Sequence, residues 1–335
     1  MITLKSCLAA AIFCSLVSLG SSKAADETLA FLGNWASNET KLDELNNLFI
    51  NAQPFPNVVI ENFFNADIAS KIESKFPIPS GSGSADWVAQ GWHVYDNPIE
   101  GKLAQDDVKM MEKHDPVFED LWKILQSDDV IALVKRITSI PELEKDPYLH
   151  GAGLHYHPRG SRLEMHLDYA IHPITGKERR VNLIIYMNRD WQDSWGGDLH
   201  LWEGSLDGPR QFSTRIYPRF NTAAIFRTSD ESWHGMPDPV SFLTLRGVEG
   251  TRCGSIVFHC LSLATRFCLY CGDCALAIFT HNSSCLIKSN EKGKACFVLR
   301  RKKNIACRWR APRAWRARAS PSTTSPTPAP TPRAG

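Results

Sequence analysis

The feature that most constrains the fold is a series of short apolar stretches between Tyr148 and Phe258, separated by turns rich in Gly, Pro and Asp. Evenly spaced short strands with such turns are typical of an all-β sandwich or jelly roll. No internal repeat accompanies them. The strands predicted from these stretches cover residues 163–168, 180–187, 197–202, 215–217, 222–227 and 254–258.

The segment before this region mixes helix and strand. Residues 57–64 have the composition of a strand, and residues 67–76 carry apolar side chains at helical spacing behind Asn65 or Asp67 as a cap. A second helical pattern covers residues 117–137. The sequence therefore predicts a mainly β fold, a jelly roll over residues 148–258, with flanking α-helices in a supporting region over residues 26–147.

The first 25 residues have the features of a secretory signal peptide. Lys5 gives a positive start, residues 8–19 form a short apolar run, and residues 22–25 offer small side chains for cleavage. The alternative is a buried N-terminal helix. The run is shorter than the roughly 20 apolar residues that a bilayer requires, so we expect no stable membrane span. The signal reading implies the secretory pathway, either the lumen of the endoplasmic reticulum or secretion.

Cysteines are absent between Cys14 and Cys253, so the core of this region must be stable without disulfides. The last segment, residues 259–335, is instead rich in Cys, then basic, then rich in Pro, Ser and Thr. Three interpretations stay open for its cysteines: a metal site, disulfides, or a non-native or poorly ordered terminus, which we favour. The formal net charge of +2 argues against a nucleic-acid partner.

A candidate metal site begins with His166 and Asp168. Side chains two apart in a strand project from the same face, so both can reach one metal ion. His234 supplies a third ligand, and two imidazoles with one carboxylate form the facial triad of non-haem Fe(II) oxygenases. The chain has 11 His residues, so this spacing alone is weak support.

The surrounding motifs strengthen the assignment. The stretch from Leu149 to Pro239 resembles the prolyl-4-hydroxylase-like family of 2-oxoglutarate/Fe(II) oxygenases, with its motifs in the family's order. These motifs are Gly-Leu-His-Tyr-His-Pro-Arg-Gly at 153–160, His-Leu-Asp-Tyr at 166–169, Arg-Arg-Val-Asn-Leu-Ile-Ile-Tyr-Met-Asn at 179–188, Trp-Gly-Gly-Asp-Leu at 195–199 and Ser-Trp-His-Gly-Met-Pro-Asp-Pro at 232–239.

The resemblance implies a double-stranded β-helix in which His166, Asp168 and His234 are both the catalytic residues and the ligands of Fe(2+). It also implies 2-oxoglutarate as co-substrate, dioxygen as oxidant and ascorbate as a reductant that keeps the iron ferrous. The expected reaction hydroxylates a C–H bond of a polypeptide, with proline as one candidate residue, or of a small molecule, and releases succinate and CO2.

The co-substrate residues are less clear from the sequence. The resemblance assigns the distal carboxylate of 2-oxoglutarate to Arg252, with Arg246 as the rival, because Arg pairs with both carboxylate oxygens. Tyr186 resembles the family tyrosine that hydrogen-bonds the same group. The segment between Pro239 and Arg252 is longer than in the family, and the resemblance ends at Phe258.

Two other functions remain open at this stage. The first is a catalytically inactive jelly-roll binding module with an incomplete co-substrate site. The second is a metal hydrolase that uses the same three ligands. The identity of the substrate and the oligomeric state are not indicated by the sequence.

Overall fold

The computed structural model describes residues 26–81, 83–96, 100–241, 254–262, 267–271, 275–280 and 283–288. Its backbone contacts divide the chain into two compact units, residues 1–264 and residues 265–335. The predicted signal peptide, Arg246, Arg252 and the chain after residue 288 lie outside the described residues.

Twelve strands of the first unit are described, and they form two sheets. In chain order the strands are β1 (Asn57–Glu61), β2 (His93–Asp96), β3 (Gly101–Gln105), β4 (Leu143–Lys145), β5 (Gly153–Tyr156), β6 (Leu163–His166), β7 (Glu178–Tyr186), β8 (Leu199–Ser205), β9 (Gly208–Ile216), β10 (Thr222–Arg227), β11 (Trp233–Met236) and β12 (Gly254–Ser262).

The larger sheet has the strand order β1-β10-β7-β12-β5-β3-β2, with β4 also paired to β12. The smaller sheet has the order β6-β11-β8-β9. Neighbouring strands pair antiparallel in both sheets. Two antiparallel sheets with non-consecutive neighbours form the jelly roll that the sequence predicted, which confirms the fold class.

Strand β7 shows why the larger sheet is apolar on both faces. Leu183 and Ile185 belong to the core cluster shared with the helices. Tyr186 belongs to a second cluster with Leu199 of β8 and Phe226 of β10, and these two strands lie in opposite sheets. Adjacent residues of a strand point to opposite faces. The continuous apolar run in this strand therefore packs into both core clusters, one on each face of the larger sheet.

The helices precede the jelly roll in the chain, and their apolar faces complete the main core, except for the short helix Ser84–Ala89, which buries no residue. They are α1 (residues 26–31), α2 (Glu39–Asn51), α3 (Ala66–Lys75), α4 (Ser84–Ala89), α5 (Val108–Glu112), α6 (Val117–Leu125) and α7 (Asp128–Thr138), with 3-10 turns at Asn34–Ser37 and Asp193–Trp195.

Caps set two helix boundaries that bear on the sequence predictions. Asn65 accepts a hydrogen bond from the backbone N–H of Asp67 at 3.0 Å, so Asn65 rather than Asp67 is the cap of α3. The single helical pattern over residues 117–137 is two helices. Ser127 accepts from the backbone N–H of Val130 at 3.2 Å and begins α7 as a new helix.

Strand β12 continues past Phe258, where the sequence analysis ended the catalytic core. It runs to Ser262 and pairs with β4, β5 and β7, and the side chains of Cys260 and Leu261 are fully buried. The extension was missed because the family motifs end before it. The long pairing with β7 holds β12 in the middle of the larger sheet.

The second unit contains a three-stranded antiparallel sheet with the order β13-β14-β15. Its strands are β13 (Phe267–Cys271), β14 (Ala275–Thr280) and β15 (Ser283–Lys288). The sequence of this segment shows no clear apolar periodicity, so these strands were not predicted. Among the described residues, no helix combines the length and apolarity needed to cross a bilayer.

Candidate metal centre

Two histidines face each other across a pair of strands in the smaller sheet. His166 ends β6 and His234 lies in β11, and the antiparallel register makes them direct partners. Their ring centroids are 4.5 Å apart. Between His234 and Met236 lies Gly235, where a Cβ atom would come within 2.8 Å of the carbonyl oxygens of β6. The glycine therefore permits the close strand approach that brings the two imidazoles together.

Asp168 completes the cluster from the segment after β6. The strand ends at His166, so the predicted strand through Asp168 is too long, although the carboxylate still turns toward the same point. Its Oδ1 lies 4.0 Å from His166 Nε2 and its Oδ2 lies 3.4 Å from His234 Nε2. One ligand atom from each of the three residues lies within 4.8 Å of the others. The structure thus brings together all three predicted ligands.

Backbone carbonyls fix the tautomer of both imidazoles. His166 Nδ1 lies 2.8 Å from the carbonyl oxygen of Glu164, and His234 Nδ1 lies 2.9 Å from that of Ser232. A carbonyl oxygen can only accept, so each Nδ1 carries the proton and each neutral ring presents the lone pair of Nε2. Both lone pairs are then free for one metal ion.

Asp168 is oriented by two residues to which the sequence motifs assign no role. Asn182 Nδ2 donates to Asp168 Oδ2 at 2.7 Å, and Arg179 Nη1 lies 3.1 Å from Asp168 Oδ1. Arg179 Nε also donates to Asn182 Oδ1 at 2.8 Å. Arg179 and Asn182 belong to β7, in the opposite sheet, and both are buried. Both lie in a recognised motif, but their contact with Asp168 depends on sheet packing.

Burial dominates the electrostatics of His234. Desolvation lowers the pKa of His234 to about 4, although the neighbouring carboxylate of Asp168 acts in the opposite direction. The imidazole is therefore neutral at physiological pH even without a metal. A neutral ring is the form that binds a metal ion.

The cluster opens into a cavity of about 600 Å³ between the two sheets. This volume is in the range of small-molecule sites, roughly 300–1,000 Å³. The three candidate ligands line it together with Tyr186, which is 7% exposed. Tyr186 therefore lines the same cavity as the three candidate ligands, and its contact with a co-substrate carboxylate stays a prediction.

A second cluster has the right atoms for a metal but already contains a cation. Asp198, His200 and Asp238 bring one ligand atom each within 4.8 Å. Arg215 Nε lies 2.8 Å from Asp198 Oδ2, and its Nη2 lies 3.3 Å from Asp238 Oδ2. The guanidinium compensates both carboxylates, so this cluster is an ion-pair network.

That network lies beside a Gly-Gly turn within the motif at residues 195–199. Gly196 and Gly197 both have φ of +69°, as expected for a tight turn. Gly197 N–H donates to the carbonyl of Asp238 at 3.1 Å, and a Cβ on Gly196 would lie 2.5 Å from the carbonyl oxygen of Pro239. The turn ties the segment after His234 to the start of β8.

The residues of the first cluster fit a ferrous ion. Three facial ligands at about 2.1 Å from one ion lie about 3.0 Å apart. The 3.4 Å between Asp168 and His234 is near this value, and the 4.0 Å between Asp168 and His166 closes with a small side-chain rotation. Two imidazole nitrogens and one carboxylate are the donor set of non-haem Fe(II) oxygenases. The buried Arg179 partly balances the negative charge of Asp168, as expected for a carboxylate held in place by neighbouring hydrogen bonds.

Comparisons with known proteins give one family match. Residues 152–244 match the 2OG-Fe(II) oxygenase superfamily, a segment that contains all three candidate ligands and Tyr186. No curated protein sequence matches the chain at a significant level.

Several solved structures share similarity with the chain. A prolyl hydroxylase from Trichoplax adhaerens, in complex with a hypoxia inducible factor oxygen degradation domain peptide fragment, is 16% identical, with 69% of this chain and 94% of that chain covered and a TM-score of 0.41. A Pseudomonas putida prolyl-4-hydroxylase is 13% identical, with coverages of 65% and 98% and a TM-score of 0.37. HygX from Streptomyces hygroscopicus, with nickel, 2-oxoglutarate and hygromycin B bound, is 14% identical, with coverages of 63% and 84% and a TM-score of 0.38.

The family match and the geometry agree on the same residues. The matched segment holds the triad, the orienting residues Arg179 and Asn182 and the Gly-Gly turn. The match to the 2OG-Fe(II) oxygenase superfamily over residues 152–244 therefore falls on the segment that contains the candidate metal centre.

Proposed function

We propose that this protein is a dioxygenase dependent on Fe(II) and 2-oxoglutarate, which hydroxylates a C–H bond of a polypeptide or small-molecule substrate and releases succinate and CO2. The observation that carries the proposal is the triad of His166, Asp168 and His234 at the wall of a cavity of about 600 Å³. A side chain of a polypeptide or a small molecule fits a cavity of this size beside the co-substrate. We favour a polypeptide, with a prolyl residue as one candidate.

Each residue of the candidate site has its own role. His166 and His234 hold the ion through Nε2, while Arg179 and Asn182 keep the carboxylate of Asp168 in place. Tyr186 donates its hydroxyl hydrogen bond to a carboxylate of 2-oxoglutarate. When bound, Fe(II) supplies the redox chemistry that couples dioxygen activation to decarboxylation of the keto acid. Apolar side chains such as Ile184 and Leu199 form part of the cavity wall and limit the space open to bulk water.

Succinate release tests the proposal. Purified protein with Fe(II), 2-oxoglutarate and dioxygen is expected to form succinate, and the Asp168→Asn variant is expected to form none. A folded wild-type protein that forms no succinate would favour the inactive binding module. Activity with zinc in place of iron, without any need for the keto acid, would favour the metal hydrolase.

The substrate class needs a separate experiment. Candidate peptides and small molecules are incubated with the active protein, and a gain of one oxygen atom is sought by mass spectrometry. Hydroxylated proline in a peptide would support the prolyl substrate, whereas modification of small molecules alone would contradict the polypeptide preference.

Two further parts of the proposal rest on the sequence and the chemistry of the site. We place the protein in the secretory pathway because residues 1–25 have the features of a signal peptide. Ascorbate is proposed as the reductant that keeps the iron ferrous, so omission of ascorbate should shorten the period of succinate release. Secretion of a fusion carrying residues 1–25 tests the first part.

A further inference from the structure

A fully buried histidine lies in the loop that joins two parts of the candidate metal centre. The loop covers residues 169–177, between the candidate ligand Asp168 and β7, where Arg179 holds the carboxylate of that ligand. His172 lies in the middle of this loop, and its side chain has no exposed surface. The residue is outside the recognised sequence motifs, and the triad does not include it.

His172 organises the hydrogen bonds of the loop. Its Nδ1 accepts from the backbone N–H groups of Ile174 and Thr175, at 3.2 and 3.1 Å. Its backbone N–H donates to the carbonyl of Lys177 at 2.8 Å, and its own carbonyl accepts from the N–H of Gly176 at 2.9 Å. The conformation of the loop therefore depends on this one residue.

A second buried side chain lies against the other nitrogen of the ring. Because Nδ1 accepts two hydrogen bonds, the neutral imidazole carries its proton on Nε2. That nitrogen lies 3.3 Å from Oδ1 of Asp146, whose side chain is also without exposed surface. The two groups are not aligned as a hydrogen bond, so the contact between them is electrostatic. Asp146 directly follows β4, and its Oδ1 accepts from the backbone N–H of Tyr148 at 2.9 Å.

The stability of the fold alone does not account for a polar pair at this depth. Burial of such a pair costs solvation free energy, and apolar side chains of similar volume often stabilise a protein as much or more. What a buried polar pair can provide is one defined geometry. The pair of Asp146 and His172 is therefore expected where the geometry of the loop matters to a neighbouring site.

An aromatic side chain connects His172 to the metal ligands. Tyr169 directly follows Asp168 in the chain, and its ring lies edge-on to the imidazole of His172, with the ring centroids 6.3 Å apart. The hydroxyl of Tyr169 donates to the backbone carbonyl of His150 at 2.8 Å. The ring of Tyr169 is therefore held at its edge and at its hydroxyl.

Arg179 contacts this loop with both its backbone and its side chain. Its backbone N–H donates to the carbonyl of Ala170 at 3.0 Å, and its guanidinium lies 4.7 Å from the ring centroid of Tyr169. A cation within about 6 Å of an aromatic ring centroid is attracted to the face of the ring. The same guanidinium lies 3.1 Å from Asp168 Oδ1, so a shift of the loop would displace a contact of the metal ligand.

We propose that His172 is a positioning residue of the metal centre and acts through Arg179. With Asp146, it fixes the loop that carries Tyr169, and the loop and the ring together keep the guanidinium against Asp168. The inference rests on the proposed function, because it needs a metal ion at the triad. The side chain of His172 has no exposed surface, so it acts only through its neighbours.

Competition for Zn(II) against a chelator of known affinity tests the inference without turnover. His172→Leu removes both polar contacts of the ring, and it should weaken metal binding by about 10-fold, the lower end of what contacts behind metal ligands contribute. His172→Asn keeps a side-chain oxygen that can accept from the N–H groups of the loop. Its metal affinity should therefore lie closer to that of the wild type.

A double-mutant cycle separates positioning from general destabilisation. If His172 acts through Arg179, His172→Leu should cause no further loss of metal affinity in the Arg179→Met protein, because the contact it maintains is already absent. Losses that multiply in the double variant would overturn the proposed route. The control is Leu45→Ala, a buried core position of α2, which should lower the unfolding temperature and leave the metal affinity unchanged.

Wild-type metal affinity in His172→Leu, with only a lower unfolding temperature, would overturn the inference. Should His172→Leu fail to fold, His172→Gln carries the comparison, since its amide extends toward Asp146 but offers the loop no acceptor in the place of Nδ1. Wild-type affinity in that variant has the same meaning. A wild-type protein that binds no metal would remove the proposed function, whereas metal binding that does not respond to changes at His172 removes only the positioning role.

Discussion

Hydrogen bonds to the three candidate metal ligands fix the orientation of each side chain, and this orientation determines whether the three can bind one ion. Backbone carbonyls hold both imidazoles in the tautomer with a free Nε2 lone pair, and β7 supplies the two residues that hold Asp168. Such supporting contacts typically change metal affinity by about 10- to 100-fold. They are therefore part of the functional site.

Arg179→Met should lower metal affinity by about 10- to 100-fold, because the carboxylate of Asp168 loses its charged partner and Asn182 loses a donor. The measurement is competition for Zn(II) against a chelator of known affinity. The adjacent Arg180→Met variant removes the same charge from a side chain that pairs with Glu178, and it should bind as wild type does. Equal losses in the two variants would contradict the role given to Arg179.

The titration of His157 should appear in the stability of the metal-free protein. Its pKa is about 3 in the folded state and close to 6.5 in the unfolded chain, so the unfolded state binds more protons between these values. The free energy of unfolding therefore decreases as the pH falls from 6.5 toward 3, with this residue contributing up to about 1.4 kcal/mol per pH unit.

Urea unfolding at several pH values checks this contribution. The plot of unfolding free energy against pH should be less steep in His157→Phe than in wild type over that window. Identical slopes for the two proteins would show that His157 is not buried in its neutral form.

At the scale of elements, the site depends on the close approach of β6 and β11. Gly235 allows it, since any larger side chain would meet the carbonyl oxygens of Leu163 and Glu164 at 2.8 Å. The Glu164 carbonyl is also the acceptor for His166 Nδ1. A change in strand spacing would therefore disturb a ligand of the metal as well as the sheet.

Gly235→Ala should accordingly weaken metal binding and destabilise the protein, in proportion to the strand displacement. The matched control is Gly83→Ala, because a Cβ at Gly83 meets nothing within 4 Å. Zinc competition and thermal unfolding of both variants provide the readout. Wild-type metal affinity in Gly235→Ala would show that the spacing of the two strands is not limiting.

Local patterns predicted the elements that depend on nearby residues and missed those that depend on distant ones. Residues 222–227 were assigned correctly as a strand because apolar runs between turns are local signals. The ends of β12 and the pairing of β3 with β5 depend on partners far away in the chain. The place of Lys102 in the cavity wall could therefore not be predicted from the sequence. The same holds for the contact of Arg179 with Asp168.

At the scale of the whole molecule, the packing of the two sheets brings residues from distant parts of the chain together at the candidate metal centre. The smaller sheet contributes His166 and His234, and the larger sheet contributes the residues that hold Asp168 and the Tyr186 side of the cavity. The motifs were sufficient to predict the triad and the jelly roll. The packing of one sheet on the other, which creates the cavity, was available only from the structure.

Metal binding should therefore stabilise the whole first unit. A ligand that binds only the folded state at about 100 times its Kd adds about 2.7 kcal/mol to the free energy of unfolding. Zn(II) should give a gain of this size in wild type and none in Asp168→Asn, by chemical denaturation with and without the metal. A similar gain in the variant would place the metal elsewhere.

The most direct test of the central claim is a crystal structure of the protein loaded without oxygen with Mn(II) and 2-oxoglutarate, with the metal located by its anomalous scattering. The account predicts one ion bound by Nε2 of His166, Nε2 of His234 and the carboxylate of Asp168. An ion bound by other residues, or the three side chains left without an ion at saturating metal, would contradict it.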